Sequence, residues 1–109
     1  MALEKVCSLD DLWEGEMKEF SVNGRKVLIV HSEGGQVAGF APLCPHQAFP
    51  LINGKLEGDK LICSAHLWEF NAATGVGINP TDCALRRFET TVEDGFVYLD
   101  PTRVQKAAA

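Results

Sequence analysis

Two couples in the middle of the chain have the residue types to hold a metal: Cys44 and His46, spaced C-x-H, and Cys63 and His66, spaced C-x-x-H, with sixteen residues between the couples. Each couple brings one soft thiolate and one imidazole, so the set offers four ligands of two kinds. Three readings compete for it: a structural zinc ion, an iron-sulfur cluster, and buried residues with no common role. Zinc accepts two thiolates and two imidazoles in a tetrahedron, but such sites ordinarily take two cysteines from one short turn and two histidines from one helix. Here each arm carries one of each, and no helix is predicted around them. Two facing loops of this kind let both cysteines bind one iron and both histidines the other, which is how a mixed-ligand 2Fe-2S centre is held. Chance is the weakest reading, since two of three histidines would have to meet two of four cysteines by accident in a segment rich in Pro and Gly.

The other reactive side chains have bland readings. His31 ends a predicted strand with no cysteine nearby and is taken as structural; Cys7 and Cys83 lack a second ligand close by and are taken as free thiols. Trp68, two residues beyond His66, can either pack beneath the couple or serve as an aromatic anchor for a partner. Gly54, Gly58, Gly75 and Gly77 suit turns, because none belongs to a G-x-G-x-x-G that opens a helix after a strand. No Ser/His/Asp set, catalytic carboxylate pair or nucleotide motif is left over, so no catalytic residue is assigned.

At 109 residues the chain is sized for one domain with one compact core. The formal charge of −5, from fifteen acids and ten bases, argues against nucleic acid as a partner, because neutralising phosphates needs a basic face. It suits an acidic carrier that docks to basic patches. Five acids, Asp10, Asp11, Glu14, Glu16 and Glu19, crowd the N-terminal region and are read as a solvated face. No apolar run approaches the roughly 20 residues of a membrane span. The opening Met1 to Val6 carries an acid and no apolar core of a secretory signal, so a cytoplasmic location with reduced thiols is expected.

The elements that must position the couples read as β-structure. Met17 to Val22 alternates, Asn23-Gly24 suits a type I′ turn, and Arg25 to His31 is rich in β-branched residues. A second turn at Glu33-Gly34-Gly35 leads into Gln36 to Ala41, which predicts a three-stranded meander over 17–41. Arg87 to Val92, the turn Glu93-Asp94-Gly95, and Phe96 to Leu99 predict another hairpin. Ser8 can cap a single helical turn, with Asp11 at the capping-box position. No stretch holds a 3.6-residue period for three turns, so the base is expected to be all-β, an antiparallel sandwich or small barrel. Residues 42–82, with Pro42, Pro45, Pro50 and Pro80, interrupt this rhythm; short strands are expected at Lys60 to Cys63 and Leu67 to Phe70, with loops elsewhere. The conformational entropy of such an insert needs offsetting, which a bound metal cluster would do. The tail from Thr102 to Ala109 shows no partner pattern and is expected to fray.

With these residues in view, Cys44-Pro45-His46 and Cys63-Ser64-Ala65-His66 resemble the C-x-H…C-x-x-H signature of Rieske proteins, and His66 to Asn71 followed by Thr74-Gly75 is similar to its continuation in Rieske ferredoxins. Asn79-Pro80 resembles the proline-bearing loop that covers the cluster in that fold. More narrowly, Glu4 to Trp13, the Cys44-Pro45-His46-Gln47 loop and Trp68 resemble the Rieske ferredoxins of toluene monooxygenase systems, which serve a di-iron hydroxylase. The resemblance implies one Rieske domain over 1–109, with a loop-rich cluster-binding part at about 43–82 and a base from about 3–42 and 83–101. It implies Cys44, His46, Cys63 and His66 as ligands of one 2Fe-2S cluster, with Trp68, Gln47 and Pro80 in docking or supporting roles. Rieske proteins of cytochrome bc-type complexes carry an extra cysteine in each ligand loop; here Ser64, Ala65, Gln47, Ala48 and Phe49 stand there, so no bracing disulfide can form.

Exchanging two thiolates for neutral imidazoles makes the cluster less negative, which eases uptake of an electron; without the disulfide, a potential toward the low end of about −150 to +300 mV is expected. Loss of imidazole protons would lower it further at alkaline pH. The function implied is a monomeric one-electron carrier from an NADH-dependent flavoprotein reductase to the di-iron hydroxylase of an aromatic monooxygenase. Two alternatives stand beside it: a ferredoxin of a ring-hydroxylating dioxygenase, and a non-redox zinc-binding interaction module.

Overall fold

The computed structural model describes residues 3–22, 24–32, 35–42, 50–63, 68–72, 74–79 and 85–105, with the backbone alone for 79 and 101–105. In chain order the elements are β1 (Glu4–Ser8), a 3-10 turn (Leu9–Asp11), β2 (Glu16–Val22), β3 (Arg25–His31), β4 (Val37–Phe40), a second 3-10 turn (Leu51–Asn53), β5 (Lys55–Glu57), β6 (Lys60–Ile62), β7 (Glu69–Asn71), β8 (Gly77–Asn79), β9 (Arg87–Glu93) and β10 (Phe96–Gln105). Six strands form one antiparallel sheet in the order β1-β10-β9-β4-β3-β2, and four form a second in the order β5-β6-β7-β8. The edges of the larger sheet, β1 and β2, lie against each other, so it curls nearly into a barrel.

Where one compact core was expected, strand β3 divides two buried clusters, because both of its faces are covered. Val27, Leu28, Ile29 and Val30 are all fully buried, although a strand with one wet face would alternate. Leu28 and Val30 face a cluster with Ala38, Phe40, Leu51, Leu61, Cys63, Phe70, Ala72 and Leu85, which joins the larger sheet to the smaller one. Val27 and Ile29 face the barrel interior with Leu12, Val22, Phe88, Val97 and Leu99. Each fully buried Leu or Ile contributes roughly 1.5–3 kcal/mol. That apolar run is therefore the seam between base and insert.

The meander over 17–41 forms as β2, β3 and β4, with Phe20 opposite Val27 and Leu28 opposite Phe40. Gly24 and Gly35 take positive φ at its turns, while Asn23, Glu33 and Gly34 lie outside the described residues. The β9–β10 hairpin turns on Asp94 and Gly95, both at positive φ, as a type I′ turn demands. Ser8 caps the first 3-10 turn: its hydroxyl accepts from the Asp10 amide at 3.1 Å, and the Asp11 carboxylate accepts from the Ser8 amide at 3.4 Å. His31 is structural, its Nδ1 donating to the Leu12 carbonyl oxygen at 2.9 Å. Asp10, Asp11, Glu14 and Glu16 are exposed as the solvated face expected of them, whereas the fifth acid, Glu19, is half-buried with its Oε1 3.8 Å from Lys26 Nζ.

Two expectations are corrected, and one strand is found where the sequence suggested no element. The chain before Ser8 is a strand, β1, paired with β10 from Glu4 opposite Leu99 to Ser8 opposite Phe96. The tail does not fray at Thr102: after an irregularity between Asp100 and Val104, pairing resumes with Val104 opposite Phe88 and Gln105 opposite Arg87. Pro101, which has no N–H for a ladder bond, sits within that irregularity. In the insert, strands appear at β6 and β7 as expected, but Lys55–Glu57 and Gly77–Asn79 also pair, where loops were predicted.

Candidate metal centre

Two backbone hydrogen bonds close the chain at the necks of the two couples. The amide of Leu51 donates to the carbonyl oxygen of Pro42 at 2.8 Å, and the amide of Cys63 donates to the carbonyl oxygen of Trp68 at 2.8 Å. Cys44 and His46 lie in sequence between the first pair, and His66 between the second. A third neck follows: β8 ends at Asn79, opposite Glu69, and the Leu85 amide donates to the Gly75 carbonyl oxygen at 2.8 Å. Pro80 and Cys83 lie between those ends.

The three necks converge because each carries one residue of the same buried cluster. Leu51, Cys63 and Leu85 pack with Leu61, Phe70 and Phe40 in the core between the sheets. Cys63 is 1% exposed and has a free thiol. Leu61 and Cys63 enter the core together because residues two apart share a strand face. Trp68 is half-buried and packs on this cluster, its ring centroid 6.5 Å from that of Phe70 at an interplanar angle of 50°. The ring is thus packed on the cluster with part of it left accessible.

The turn after β7 is built to be tight. The Asn71 side-chain oxygen accepts from the Thr74 amide at 2.9 Å, and the Gly75 amide donates to the Asn71 carbonyl oxygen at 2.8 Å. Gly75 has φ +82, and a Cβ there would press on Phe40 Cε1 at 2.9 Å. Glycine is thus needed twice at this position, for its conformation and for its closeness to the base.

Of the residues singled out from sequence, Cys63 and Trp68 are placed here; Cys44, His46, Gln47, His66, Pro80 and Cys83 lie outside the described residues. Among the described residues no group of three or more His, Cys, Asp or Glu side chains could hold a metal. The donor chemistry fits a cluster at the one candidate ligand position described, because Cys63 is a buried thiol without a disulfide partner at the mouth of a closed neck. Leu51 and Leu85 were not singled out from sequence. Leu51 follows directly on Pro50, whereas Leu85 stands five residues beyond Pro80 and carries no such local signal.

A Rieske [2Fe-2S] domain signature matches residues 2–89. The chain is 44% identical over 95 residues to the ferredoxin component of the alkene monooxygenase system of Xanthobacter autotrophicus, covering 86% of this chain and 77% of that one. It is 35% identical over 101 residues to the ferredoxin component of biphenyl 2,3-dioxygenase of Rhodococcus jostii, covering 92% and 94%. Among solved structures it superposes with a TM-score of 0.80 and 27% identity on a chain from the complex of reduced oxygenase and oxidized ferredoxin in carbazole 1,9a-dioxygenase, covering 93% and 94%. No helix among the described residues is long and apolar enough to cross a membrane.

Proposed function

The chain belongs to the Rieske [2Fe-2S] domain family, and from that premise we propose that it passes single electrons to the hydroxylase of a multicomponent monooxygenase. It is an electron carrier with one Rieske-type 2Fe-2S cluster, and substrate chemistry belongs to its partners. The observation that carries the reading is the convergence of three necks on one buried cluster through Leu51, Cys63 and Leu85. Such a base gives the ligand-bearing segments fixed points of departure, and a rigid site needs little rearrangement when its charge changes.

In this reading the thiolates of Cys44 and Cys63 bind one iron and the imidazoles of His46 and His66 the other. When bound, the cluster takes up and returns one electron. The chain's own part is to hold the four donors, to exclude water on the Cys63 side through Leu51, Leu61 and Phe70, and to leave the histidine side toward a partner. Pro80 and Gln47 fall to the supporting surroundings, and residues of about 43–82 form the cluster-binding part of the domain.

The donor partner is an NADH-dependent flavoprotein reductase and the acceptor a di-iron hydroxylase of an aromatic or alkene monooxygenase, all in the cytoplasm. The relative from the alkene monooxygenase system and the resemblance of the N-terminal stretch support this choice. The net charge of −5 favours partners with basic docking faces, and a transient carrier needs only a small interface, under about 1,200 Å². A dioxygenase partner is the second reading, favoured by the superposition on the carbazole 1,9a-dioxygenase complex.

Reconstituted turnover tests the choice. Purified protein with a reductase should sustain NADH-driven oxidation by a di-iron monooxygenase hydroxylase faster than by a ring-hydroxylating dioxygenase; the reverse order would reassign the partner. Metal and labile-sulfide analysis with EPR of the same sample should show iron and sulfide; colourless, zinc-containing protein without sulfide would overturn the reading altogether.

A further inference from the structure

We propose that Gly54 is a positioning residue that fixes the spacing between the two ligand-bearing segments, an inference that rests on the cluster ligation proposed above. Gly54 ends the 3-10 turn Leu51–Asn53, and its amide donates to the Leu51 carbonyl oxygen at 2.9 Å. Leu51 in turn closes the first neck on Pro42. On the other side, Lys55 stands opposite Ile62, the residue before Cys63. Gly54 is therefore where the exit of the first segment touches the strand that carries the second.

Conformation does not demand glycine there. At φ −85 and ψ −153 the backbone is extended, which any residue adopts. Space demands it. A Cβ would fall inside contact distance of the Ile62 carbonyl oxygen, with the Ile62 carbonyl carbon at 3.1 Å and the Leu51 carbonyl oxygen at 3.2 Å. All three atoms are backbone, so no side chain can swing aside to make room. A methyl group is accommodated only if the Leu51–Asn53 turn moves away from β6. That movement carries Pro42 and Leu51 relative to Cys63, and with them the segment that bears Cys44 and His46.

A control lies in the same hairpin. Gly58 turns β5 into β6 at φ +58, and a Cβ on it would meet nothing within 4 Å. Gly58→Ala strains its own turn and leaves the seam between the segments untouched. The two substitutions therefore separate general destabilisation from a change in ligand spacing.

The experiment compares wild-type, Gly54→Ala and Gly58→Ala holoprotein by iron and labile sulfide per chain, EPR g-values of the reduced form, midpoint potential and melting temperature. Gly54→Ala is expected to shift the g-values and the potential, or to lose sulfide while still folded; Gly58→Ala is expected to lower the melting temperature with an unchanged cluster signature. Folded Gly54→Ala with wild-type sulfide, g-values and potential would overturn the inference. Should Gly54→Ala yield no folded protein, Leu51→Val moves the same exit through packing: a shifted signature supports the spacing role, and an unchanged one overturns it. Wild-type protein without a Rieske signature would overturn the ligation itself, a failure visible before any variant is read.

Discussion

The amide of Cys63 and the carbonyl of Trp68 meet at 2.8 Å across the four residues Ser64 to Leu67. The bond ties the start of the excursion, a thiol in the core between the sheets, to its end, an aromatic ring packed on that same core. Both ends of the His66-bearing segment are thus fixed by apolar burial as well as by the hydrogen bond. The neck at Cys63 gains rigidity in this way without a disulfide at that residue.

Trp68→Ala should therefore weaken the fold. Truncating a large buried aromatic costs about 3–5 kcal/mol, and for a half-buried ring roughly half of that, about 2 kcal/mol, is expected. Trp68→Phe keeps the contact with Phe70 and should cost under about 1 kcal/mol. Urea denaturation of the two variants measures this. Unchanged stability combined with slower electron delivery to the oxygenase component would show a docking role instead.

Cys63→Ser tests the one proposed ligand whose surroundings are described. Serine is a poor substitute for a thiolate toward iron, and its hydroxyl would be buried among Leu51, Leu61 and Phe70, at a further cost of about 1–3 kcal/mol if unsatisfied. Protein purified with this change is expected to be nearly colourless and free of labile sulfide. Cys7→Ser, in the barrel core and remote in sequence from the couples, should retain its colour.

Much of this was legible before any coordinates, and the reasons differ by element. The meander and the β9–β10 hairpin announce themselves through long β-branched strands and glycine turns, since each can bury a row of side chains by itself. The Rieske type of the cofactor was legible because metal chemistry restricts both residue type and spacing, while the four ligands themselves stay a proposal. Strands β5 and β8 were not, because three residues carry no measurable period and they pair only once β6 and β7 are seated on Leu61 and Phe70. β1 hides for a related reason: of Glu4–Ser8 only Cys7 is buried, and its pairing partner β10 lies at the far end of the chain. The role of Gly54 is likewise invisible in a local reading, since the atoms that exclude a Cβ belong partly to Ile62.

Gly39→Ala should destabilise the base without disturbing the cluster. Gly39 sits opposite Ile29 on β3 and Phe88 on β9, and a Cβ would overlap Leu99 Cδ1 while standing 2.9 Å from Thr90 Oγ1 and 3.3 Å from Ile29 Cδ1. Thr90 is held by its own bond to the Phe88 carbonyl at 2.9 Å and yields little. Overpacking of this kind costs about 1–3 kcal/mol. A lower denaturation midpoint with unchanged EPR g-values is the expected result, and altered g-values would mean that strain in the barrel reaches the metal centre.

Cys7 gives the fold a pH dependence on the alkaline side. Burial pushes its thiol above the ordinary value of 9.0, and the Asp11 carboxylate pushes the same way, with Lys18 partly opposing. The folded chain therefore keeps the thiol proton to higher pH than the unfolded chain does. Its contribution is complete below the ordinary value and is lost as pH rises through the raised one, because there the unfolded state gains by ionising while the folded state does not. Replacing the side chain in Cys7→Ala removes this linkage at a packing cost of about 1 kcal/mol. The wild-type advantage in melting temperature over Cys7→Ala should thus shrink over the alkaline range, around and above the ordinary value of 9.0, in which the thiol of the unfolded chain ionises first. An advantage that stays level or grows across that range would show that Cys7 ionises as readily in the folded chain as in the unfolded one.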